Sequence, residues 1–301
     1  MSDSRYLCIF AKKLSTMRIS TLIIFIGSAL AAAAAPQNVR WHNEAADTTL
    51  ITEILTETAA KHFNTPGERT GFIARKFLGQ PYVAHTLEGL PEQLTVNLDE
   101  LDCTTLADIV MALSYTVGEN RLSWQDFLYN LQRMRYRNGE IDGYASRLHY
   151  NCDWAIDNIH RGNFTDATDR LPRVKYIIRT IDFMSGHRDR YAALADSATF
   201  EKLLSIESSY RNHRFPYIKT HDLGYKDVQN ALREGDILAF VSNLKDLDVT
   251  HMGIVVKENG MTKVLHASST NGKVEISSAP IEDFVKRNRN WIGIRVYRLK
   301  E

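Results

Sequence analysis

The residue types in this sequence that could supply a nucleophile and a base are cysteine and histidine. Cys103 follows a polar, acidic stretch and precedes apolar residues that recur at helical spacing from Leu106 to Val117. This pattern predicts that a helix begins at Cys103, where unpaired backbone N–H groups and the helix macrodipole favour an anion. A thiol in that position is expected to ionise easily and to attack a carbonyl carbon. A buried, inert cysteine at the start of a core helix is the alternative.

A predicted β-hairpin brings two histidines together. Asn259-Gly260 separates two runs of period-two residues, and Asn-Gly in that place is the strongest short-range hairpin signal. If the turn has two residues, paired residue numbers sum to 258 + 261 = 519. His266 then faces Gly253, which leaves space for its ring, and shares a sheet face with His251. A three-residue loop would shift the register by one and separate the two histidines.

The histidine pair has two chemical interpretations. Together with Cys103 it could supply zinc ligands, although zinc usually takes a fourth ligand and no other residue has ligand spacing. Alternatively, His251 accepts the thiol proton of Cys103 and His266 orients the His251 ring, in the chain order Cys, His, His. We expect the second arrangement, with no metal and no cofactor.

The elements that must position these residues are a helical first part and a sheet near the C-terminus. Helical spacing covers residues 68–78, ends at Gly79, and returns in the Cys103 helix, which is apolar on nearly every face and is therefore predicted to be central. Period-two runs and a short helical run follow Glu234. The predicted strands cover 237–241, 249–257, 261–268 and 291–299, and the helix covers 281–286.

Residues 119–231 have a mostly helical pattern with irregular, aromatic-rich loops. The loop at 136–153 combines hydrogen-bonding and stacking side chains, among them Tyr144, Arg147 and His149. It could be an ordinary surface connection or a substrate-contacting segment, since long structured loops often carry binding residues.

Composition and the N-terminus restrict the class of protein. In 301 residues, 37 Lys+Arg oppose 36 Asp+Glu, so no basic excess indicates a nucleic-acid partner. Basic residues up to Arg18, an apolar run at 19–30 and alanines at 31–35 are typical of a secretory signal peptide. We expect a signal peptide at 1–35, export to the periplasm and no stable membrane anchor after cleavage. Met17 begins a complete signal by itself and is a candidate for the true start.

Cleavage near Ala35 would leave two cysteines, Cys103 and Cys152. In an oxidising compartment the two could form a disulfide. One bridge stabilises so large a domain only weakly, whereas a catalytic thiol needs no partner, so we favour the catalytic interpretation.

Five short motifs, in order, resemble those of the NlpC-type cell-wall cysteine hydrolases. They are Gly79-Gln80-Pro81-Tyr82, Asp102-Cys103, 235–240, 251–255 and His266-Ala267-Ser268. The resemblance implies an α+β, papain-like fold in which the nucleophile helix packs on an antiparallel sheet that carries both histidines. It also implies Cys103 as nucleophile, His251 as base, His266 as third member, and Tyr82 and Asp102 beside the nucleophile.

The spacing between nucleophile and base departs from the compact members of that family. Cys103 and His251 are 251 − 103 = 148 residues apart. The large, mostly helical insertion at about 119–231 resembles a branch once catalogued only as a domain of unknown function. Members of that branch resemble N-acetylmuramoyl-L-alanine amidases that act on 1,6-anhydro-muropeptides. The resemblance implies that the insertion encloses the substrate, with Tyr144, Arg147 and His149, and Ser268 of the last motif, as contacts.

Together with the signal peptide, the resemblance implies a monomeric periplasmic amidase with a single catalytic domain at 36–301 and a muropeptide substrate. One alternative is an endopeptidase that cuts the γ-D-glutamyl bond of the stem peptide, because Asp102 could recognise a free amino terminus. The other is a non-catalytic wall-binding protein with a Cys103–Cys152 disulfide.

Overall fold

In the computed structural model, which describes residues 38–300, most helices precede most strands along the chain. The helices are α1 (Glu44–Ala59), α2 (Pro66–Ala74), α3 (Cys103–Gly118), α4 (Trp124–Arg135), α5 (Asn151–His160), α6 (Phe183–Gly186), α7 (Ser197–Ser208), α8 (Lys226–Ala231) and α9 (Ile281–Arg287). The strands are β1 (Val39–Trp41), β2 (Leu94–Val96), β3 (Phe164–Asp166), β4 (Lys175–Arg179), β5 (His213–Lys219), β6 (Ile237–Ser242), β7 (Val249–Glu258), β8 (Met261–Ser268), β9 (Lys273–Ile276) and β10 (Trp291–Leu299). The predicted signal peptide and the start at Met17 lie outside the described residues.

The main sheet is antiparallel and has the order β4-β5-β10-β6-β7-β8-β9. Strand β3 pairs with the far end of β10. Strand β5 approaches β10 at Gly293, where an added Cβ would lie 2.1 Å from the carbonyl oxygen of Ile218. Because a side chain cannot fit there, glycine is required for this pairing. A separate pair, β1 and β2, is parallel.

Helices cover both faces of the sheet, and α3 is the central one. Its apolar residues Leu106, Ile109 and Val110 are buried and share a core with Ile254 of β7 and Leu265 of β8. The opposite face of the sheet packs with α8 and α9. The prediction that the Cys103 helix is central and packs on an antiparallel sheet is therefore confirmed. Within residues 38–300, no helix is long and apolar enough to cross a membrane.

The β7–β8 hairpin has the predicted register. Pairs from Ile254↔Leu265 to Glu258↔Met261 all sum to 519. Asn259 and Gly260 have φ values of 50° and 75°, and positive φ at both central residues is typical of a type I′ turn.

The insertion at 119–231 differs from its helical prediction, because β3, β4 and β5 belong to it and extend the main sheet. Pro216 lies inside β5, and proline argues against a strand when only the sequence is read. It is tolerated because β10 pairs with β5 only beyond Pro216, at Ile218 and Lys219. Strand β4 leaves Tyr176 and Ile178 exposed, so it lacks the half-buried pattern that marks a strand. The four-residue edge strand β9 was also missed.

Candidate active site

The start of α3 is fixed by Asp102. Its Oδ1 accepts hydrogen bonds from the backbone N–H groups of Thr104 and Thr105 at 3.0 and 2.8 Å. The Thr105 hydroxyl in turn accepts from the Asp102 N–H at 2.8 Å, which completes a capping box. Cys103 is thus the first residue of the helix, as predicted, and it is partly buried.

The protonation of the Cys103 thiol differs from the expectation. Burial, followed by the negative charge of Asp102, raises the pKa of the thiol to about 11. The macrodipole favours a thiolate, but desolvation and the capping carboxylate outweigh it. The thiol is therefore protonated at neutral pH, and a base must remove its proton before it can attack.

The two histidines meet as the hairpin register requires. His251 Nε2 and His266 Nδ1 are 3.0 Å apart, and their rings are nearly perpendicular. An added Cβ on Gly253 would lie 2.6 Å from Val264 Cγ1 and 3.4 Å from His266 Cβ. Glycine at 253 therefore allows the close approach that the pair needs, and the predicted pairing is confirmed.

Aromatic rings surround His251 and keep it neutral. The Trp291 ring stacks on it at 5.3 Å with an interplanar angle of 9°, and Phe240 lies 5.3 Å away on the neighbouring strand. Burial and the nearby His266 lower the pKa of His251 to about 3. An uncharged imidazole can accept a proton at neutral pH, so His251 has the protonation state of a base.

His266 connects the pair to Glu275 on β9. Its Nε2 lies 3.9 Å from Glu275 Oε1 and makes no hydrogen bond in the described part of the chain. Burial lowers the pKa of His266, and the negative charge of Glu275 raises it by a smaller amount.

Cys103 and His251 line one cavity of about 450 Å³, which we call the nucleophile cavity. Helix α3 packs on the sheet face of Ile254, whereas the His251 ring packs with Phe240 of the other face. The two catalytic candidates therefore border this cavity from opposite faces of the sheet. Among residues 38–300 no hydrogen bond joins the Cys103 thiol to His251, and such bonds often form only when substrate is bound.

The other sequence-predicted residues are divided between this cavity and its surroundings. Asp102, Arg147 and His149 line it, whereas Tyr144 is buried beneath, with its ring 4.4 Å from that of His149. Tyr82 does not line the cavity, but it pairs with Leu101, directly before Asp102, in an isolated β-bridge. Burial, followed by the charges of Cys103 and Asp102, raises the pKa of Tyr82.

Ser268 is not at the nucleophile cavity. It lines a second cavity of about 720 Å³ on the far side of the histidine pair, which we call the histidine cavity. The structure thus brings Cys103 and His251 to one cavity, and His251, His266 and Ser268 to the other.

Arg147 and His149 are held by partners within the protein. Arg147 is buried and pairs with Glu88 at 2.8 Å and Glu92 at 3.4 Å. His149 Nε2–H donates to the Tyr144 carbonyl oxygen at 2.9 Å, and burial followed by Arg147 lowers the pKa of His149 to about 3. The ring is neutral, and its Nδ1 remains as an acceptor.

Sequence reasoning missed several polar residues of the nucleophile cavity. Asp108 forms a buried ion pair with Arg135 at 3.1 Å, and its other oxygen makes no hydrogen bond of good geometry. Asn151 Nδ2 also lacks a partner, although its Oδ1 accepts from the Tyr297 hydroxyl at 2.6 Å. In the sequence, Asp108 is the one carboxylate in the mostly apolar helix that follows Cys103. This isolated charge was the signal that could have indicated a site residue.

Neither a disulfide nor a metal site involves Cys103 or Cys152 in the described residues. Cys103 and Cys152 are both free, and Cys152 is fully buried in a separate apolar cluster with Tyr150 and Met184. Within the described chain, no group of three or more His, Cys, Asp and Glu side chains is arranged to hold a metal ion.

Comparison with known proteins identifies relatives. A family profile described as AmiA-like, N-acetylmuramoyl-L-alanine amidase-like, matches residues 72–294. A crystal structure of an N-acetylmuramoyl-L-alanine amidase from Bacteroides uniformis is 39% identical, with a TM-score of 0.74 over 78% of this chain and 99% of that one. A Bacteroides fragilis protein, named provisionally as a xylanase, is 34% identical with a TM-score of 0.71 over 76% and 100% of the two chains.

A protein from Legionella pneumophila shares the fold, with 20% identity and a TM-score of 0.66 over 86% of this chain and 97% of that one. No curated protein matches the sequence. The family profile covers most of the chain, and the match to the amidase structure extends over nearly the whole of that protein. The chain belongs to the AmiA-like family of N-acetylmuramoyl-L-alanine amidase-like proteins.

Proposed function

We propose that this protein is a cysteine amidase with a papain-like, NlpC-type fold. It hydrolyses the bond between N-acetylmuramic acid and L-alanine in peptidoglycan fragments, with 1,6-anhydro-muropeptides as substrates. Family membership supports an amidase that acts on peptidoglycan. The observation that carries the mechanism is a cavity lined by both a thiol and a base that belongs to a hydrogen-bonded histidine pair.

The mechanism starts from a neutral thiol and a neutral imidazole. Nε2 of His251 is engaged by His266, so Nδ1 is the nitrogen available to accept the Cys103 proton. In that tautomer Nε2–H donates to His266 Nδ1, which fixes the ring when His251 becomes positively charged. The raised thiol pKa and the lowered imidazole pKa both favour the neutral pair before the reaction, so charge separation occurs only as the sulfur attacks.

The covalent steps follow ordinary acyl transfer. The sulfur of Cys103 attacks the lactoyl carbonyl of N-acetylmuramic acid, and the backbone N–H of Cys103, with Tyr82, holds the oxyanion. His251 gives its proton to the nitrogen of L-alanine, the C–N bond breaks, and the stem peptide leaves with a free amine. Water then attacks the thioester, which releases the muramic acid carboxylate and restores the thiol.

The nucleophile cavity is the site for the acyl half of the substrate, because that half stays bonded to Cys103. Asn151 and Asp108 line this cavity, and each has a buried polar atom without a hydrogen bond of good geometry: the Nδ2 donor of Asn151 and the second carboxylate oxygen of Asp108. A sugar carries hydroxyl and amide groups that match both. Arg147 and His149 would complete the wall.

The cellular assignment rests on the signal peptide predicted at 1–35. We propose export to the periplasm, where residues 36–301 act as one monomeric catalytic domain with no nucleic-acid partner and no membrane anchor. Muropeptides released from the wall would be the substrates met there.

Mass spectrometry of the products tests the proposed bond. A purified anhydro-muropeptide mixture is incubated with the mature protein, and the released peptides are identified. Release of intact stem peptides, each with L-alanine at its amino terminus, is expected. Stem peptides that remain attached to the sugar throughout would contradict the amidase.

The same products separate the amidase from a γ-D-glutamyl endopeptidase on this fold. Asp102 lines the nucleophile cavity, where it could recognise a free amino terminus, but its Oδ1 already caps α3. An endopeptidase would release the dipeptide L-alanyl-D-glutamate from fragments that lack the sugar.

A non-catalytic wall-binding protein would need neither thiol. Thiol titration of the folded, unreduced protein addresses this alternative, since both cysteines are free in the structure. A reactive Cys103 is expected, and a Cys103–Cys152 bridge in the purified protein would contradict the amidase.

A further inference from the structure

The nucleophile cavity and the histidine cavity meet at the catalytic base. Both are lined by Thr250 and His251, but Cys103 lines only the nucleophile cavity, and His266 and Trp291 line only the histidine cavity. A substrate that is cut between them must extend in two directions from the scissile bond.

The chemistry of acyl transfer assigns one half of the substrate to each cavity. The acyl half remains on Cys103, and the amine half receives its proton from His251. The peptide that leaves must therefore pass His251 and continue toward the histidine cavity. This step rests on the proposed function.

The histidine cavity is rich in hydrogen-bond donors. Strand β8, the loop that follows it and the β9–α9 connection contribute hydroxyl and amide side chains. They are Ser268, Ser269, Thr270, Asn271, Ser277 and Ser278. The end of α9 and the loop before β10 add Arg287 and Arg289, which are exposed and form no ion pair within residues 38–300.

One donor in this cavity is buried and unpartnered. His266 is 5% exposed, and its Nε2 has no hydrogen-bond partner in the described chain. In the tautomer used by the mechanism, Nδ1 of His266 accepts from His251, so Nε2 carries a proton. An unpaired buried N–H is costly, and an acceptor from a ligand would remove that cost.

Glu275 is a carboxylate that lines the same cavity, but it is already occupied. Its Oε1 accepts from Asn271 Nδ2 at 2.6 Å and lies 3.9 Å from His266 Nε2. The guanidinium groups of Arg287 and Arg289, by contrast, are available to an anion. Guanidinium groups match carboxylates in shape and charge.

We propose that the histidine cavity binds the leaving stem peptide and that Arg287 and Arg289 recognise a free carboxylate of that peptide, the α-carboxylate of its D-glutamate. The arginines do not take part in bond breaking. They select stem peptides whose glutamate is a free acid over those in which it is amidated.

A matched pair of substrates tests this proposal. The two muropeptides differ only in whether the stem glutamate carries an α-carboxylate or an α-amide. Wild-type protein should cleave the acid at least about tenfold more efficiently, through a lower KM, since a charge-assisted hydrogen bond contributes about that much. The Arg287→Gln/Arg289→Gln double variant should lose the preference with little change in kcat.

Lys286→Gln is the control, because Lys286 lies on the same helix, is exposed and does not line the histidine cavity. It should keep the wild-type preference. No preference in the wild-type protein, or a full preference in the double variant, would overturn the proposal.

A binding measurement separates this proposal from the amidase function. Calorimetry with the Cys103→Ala protein and L-alanyl-D-glutamine, which has a free α-carboxylate and an amide at the γ position as the stem peptide has, requires no turnover. Binding that weakens at least about tenfold when both arginines are replaced supports the subsite even if the wild-type protein cleaves neither substrate. An unchanged affinity overturns the subsite and leaves the amidase function standing.

Discussion

The β7–β8 hairpin and the loop at 136–153 both supply candidate site residues, but different interactions hold those residues in position. In the hairpin, His251 and His266 are placed by a two-residue turn and a period of two, so local sequence determines which side chains meet. In the loop, Arg147 is placed by ion pairs with Glu88 and Glu92, which lie more than fifty residues away.

The hairpin residues and the loop residues also differ in the roles that they can have. The hairpin residues have protonation states suited to catalysis, while the loop residues bind each other: His149 donates to the Tyr144 carbonyl, and Arg147 lies over the Tyr144 ring. We infer that the hairpin carries the chemistry and that the loop builds a rigid wall of the nucleophile cavity. Four predictions test this contrast.

Replacement of the two cysteines gives the largest expected effect. Cys103→Ala should lower kcat at least about 10³-fold, because loss of a covalent nucleophile leaves only binding and oxyanion stabilisation. Cys152→Ala is the matched control, since Cys152 is buried and does not line the nucleophile cavity. Assays with anhydro-muropeptide should find turnover in the control. Equal loss in both variants would contradict the assignment of Cys103.

Replacement of Arg147 should lower the free energy of unfolding, because Arg147 holds the loop in place and does not take part in bond breaking. Arg147→Met leaves Glu92, with a side chain only 1% exposed, without its positive partner. Breaking a buried ion pair in this way costs about 3–5 kcal/mol. Denaturant unfolding should report that loss. Arg133→Met, which removes a partly exposed pair with Glu119, should cost about 0–1 kcal/mol. Similar losses of unfolding free energy in the two variants would show that the buried ion pair of Arg147 does not stabilise the loop.

The pH dependence of kcat/KM should shift when Trp291 is removed. His251 must be neutral to accept a proton, and its pKa of about 3 places the acid limb well below the ordinary histidine value of 6.5. Trp291→Ala admits water, raises that pKa and moves the acid limb to higher pH. Trp291→Phe keeps a stacked ring and should move the limb less. A limb that stays in place in the alanine variant would contradict burial as the cause.

A chelator should have the smallest effect. In the proposed mechanism the nucleophile is a thiol and the base is His251, so no step requires a metal ion. Turnover measured before and after dialysis against EDTA is expected to be unchanged. A loss that is restored by zinc would favour a metal site made by Cys103 and the histidines.

Some parts of the molecule were accessible from sequence because their determinants are local. Asp102 and the apolar spacing from Leu106 onward predict the start and the burial of α3, and Asn259-Gly260 predicts the hairpin register. The wrong expectation of a low thiol pKa at Cys103 arose because desolvation depends on the folded surroundings, which a helix start does not reveal.

Other parts depend on contacts between distant residues. Strand β5 contains Pro216 and is a strand only because β4 and β10 flank it. The placement of Asp108, Asn151 and Trp154 around the nucleophile cavity requires α3 and α5 to pack together, and no local pattern encodes that arrangement. The histidine cavity likewise appears only once α9 lies beside β8.

In the proposed mechanism, Cys103 carries the acyl half of the substrate during turnover. Acid quenching at steady state, followed by intact-protein and peptide mass spectrometry, tests it directly. We expect an adduct with the mass of the anhydro-N-acetylmuramoyl group on the peptide that contains Cys103, and no adduct in the Cys103→Ala protein. An adduct on a different residue, or wild-type release of stem peptide by the Cys103→Ala protein, would contradict it.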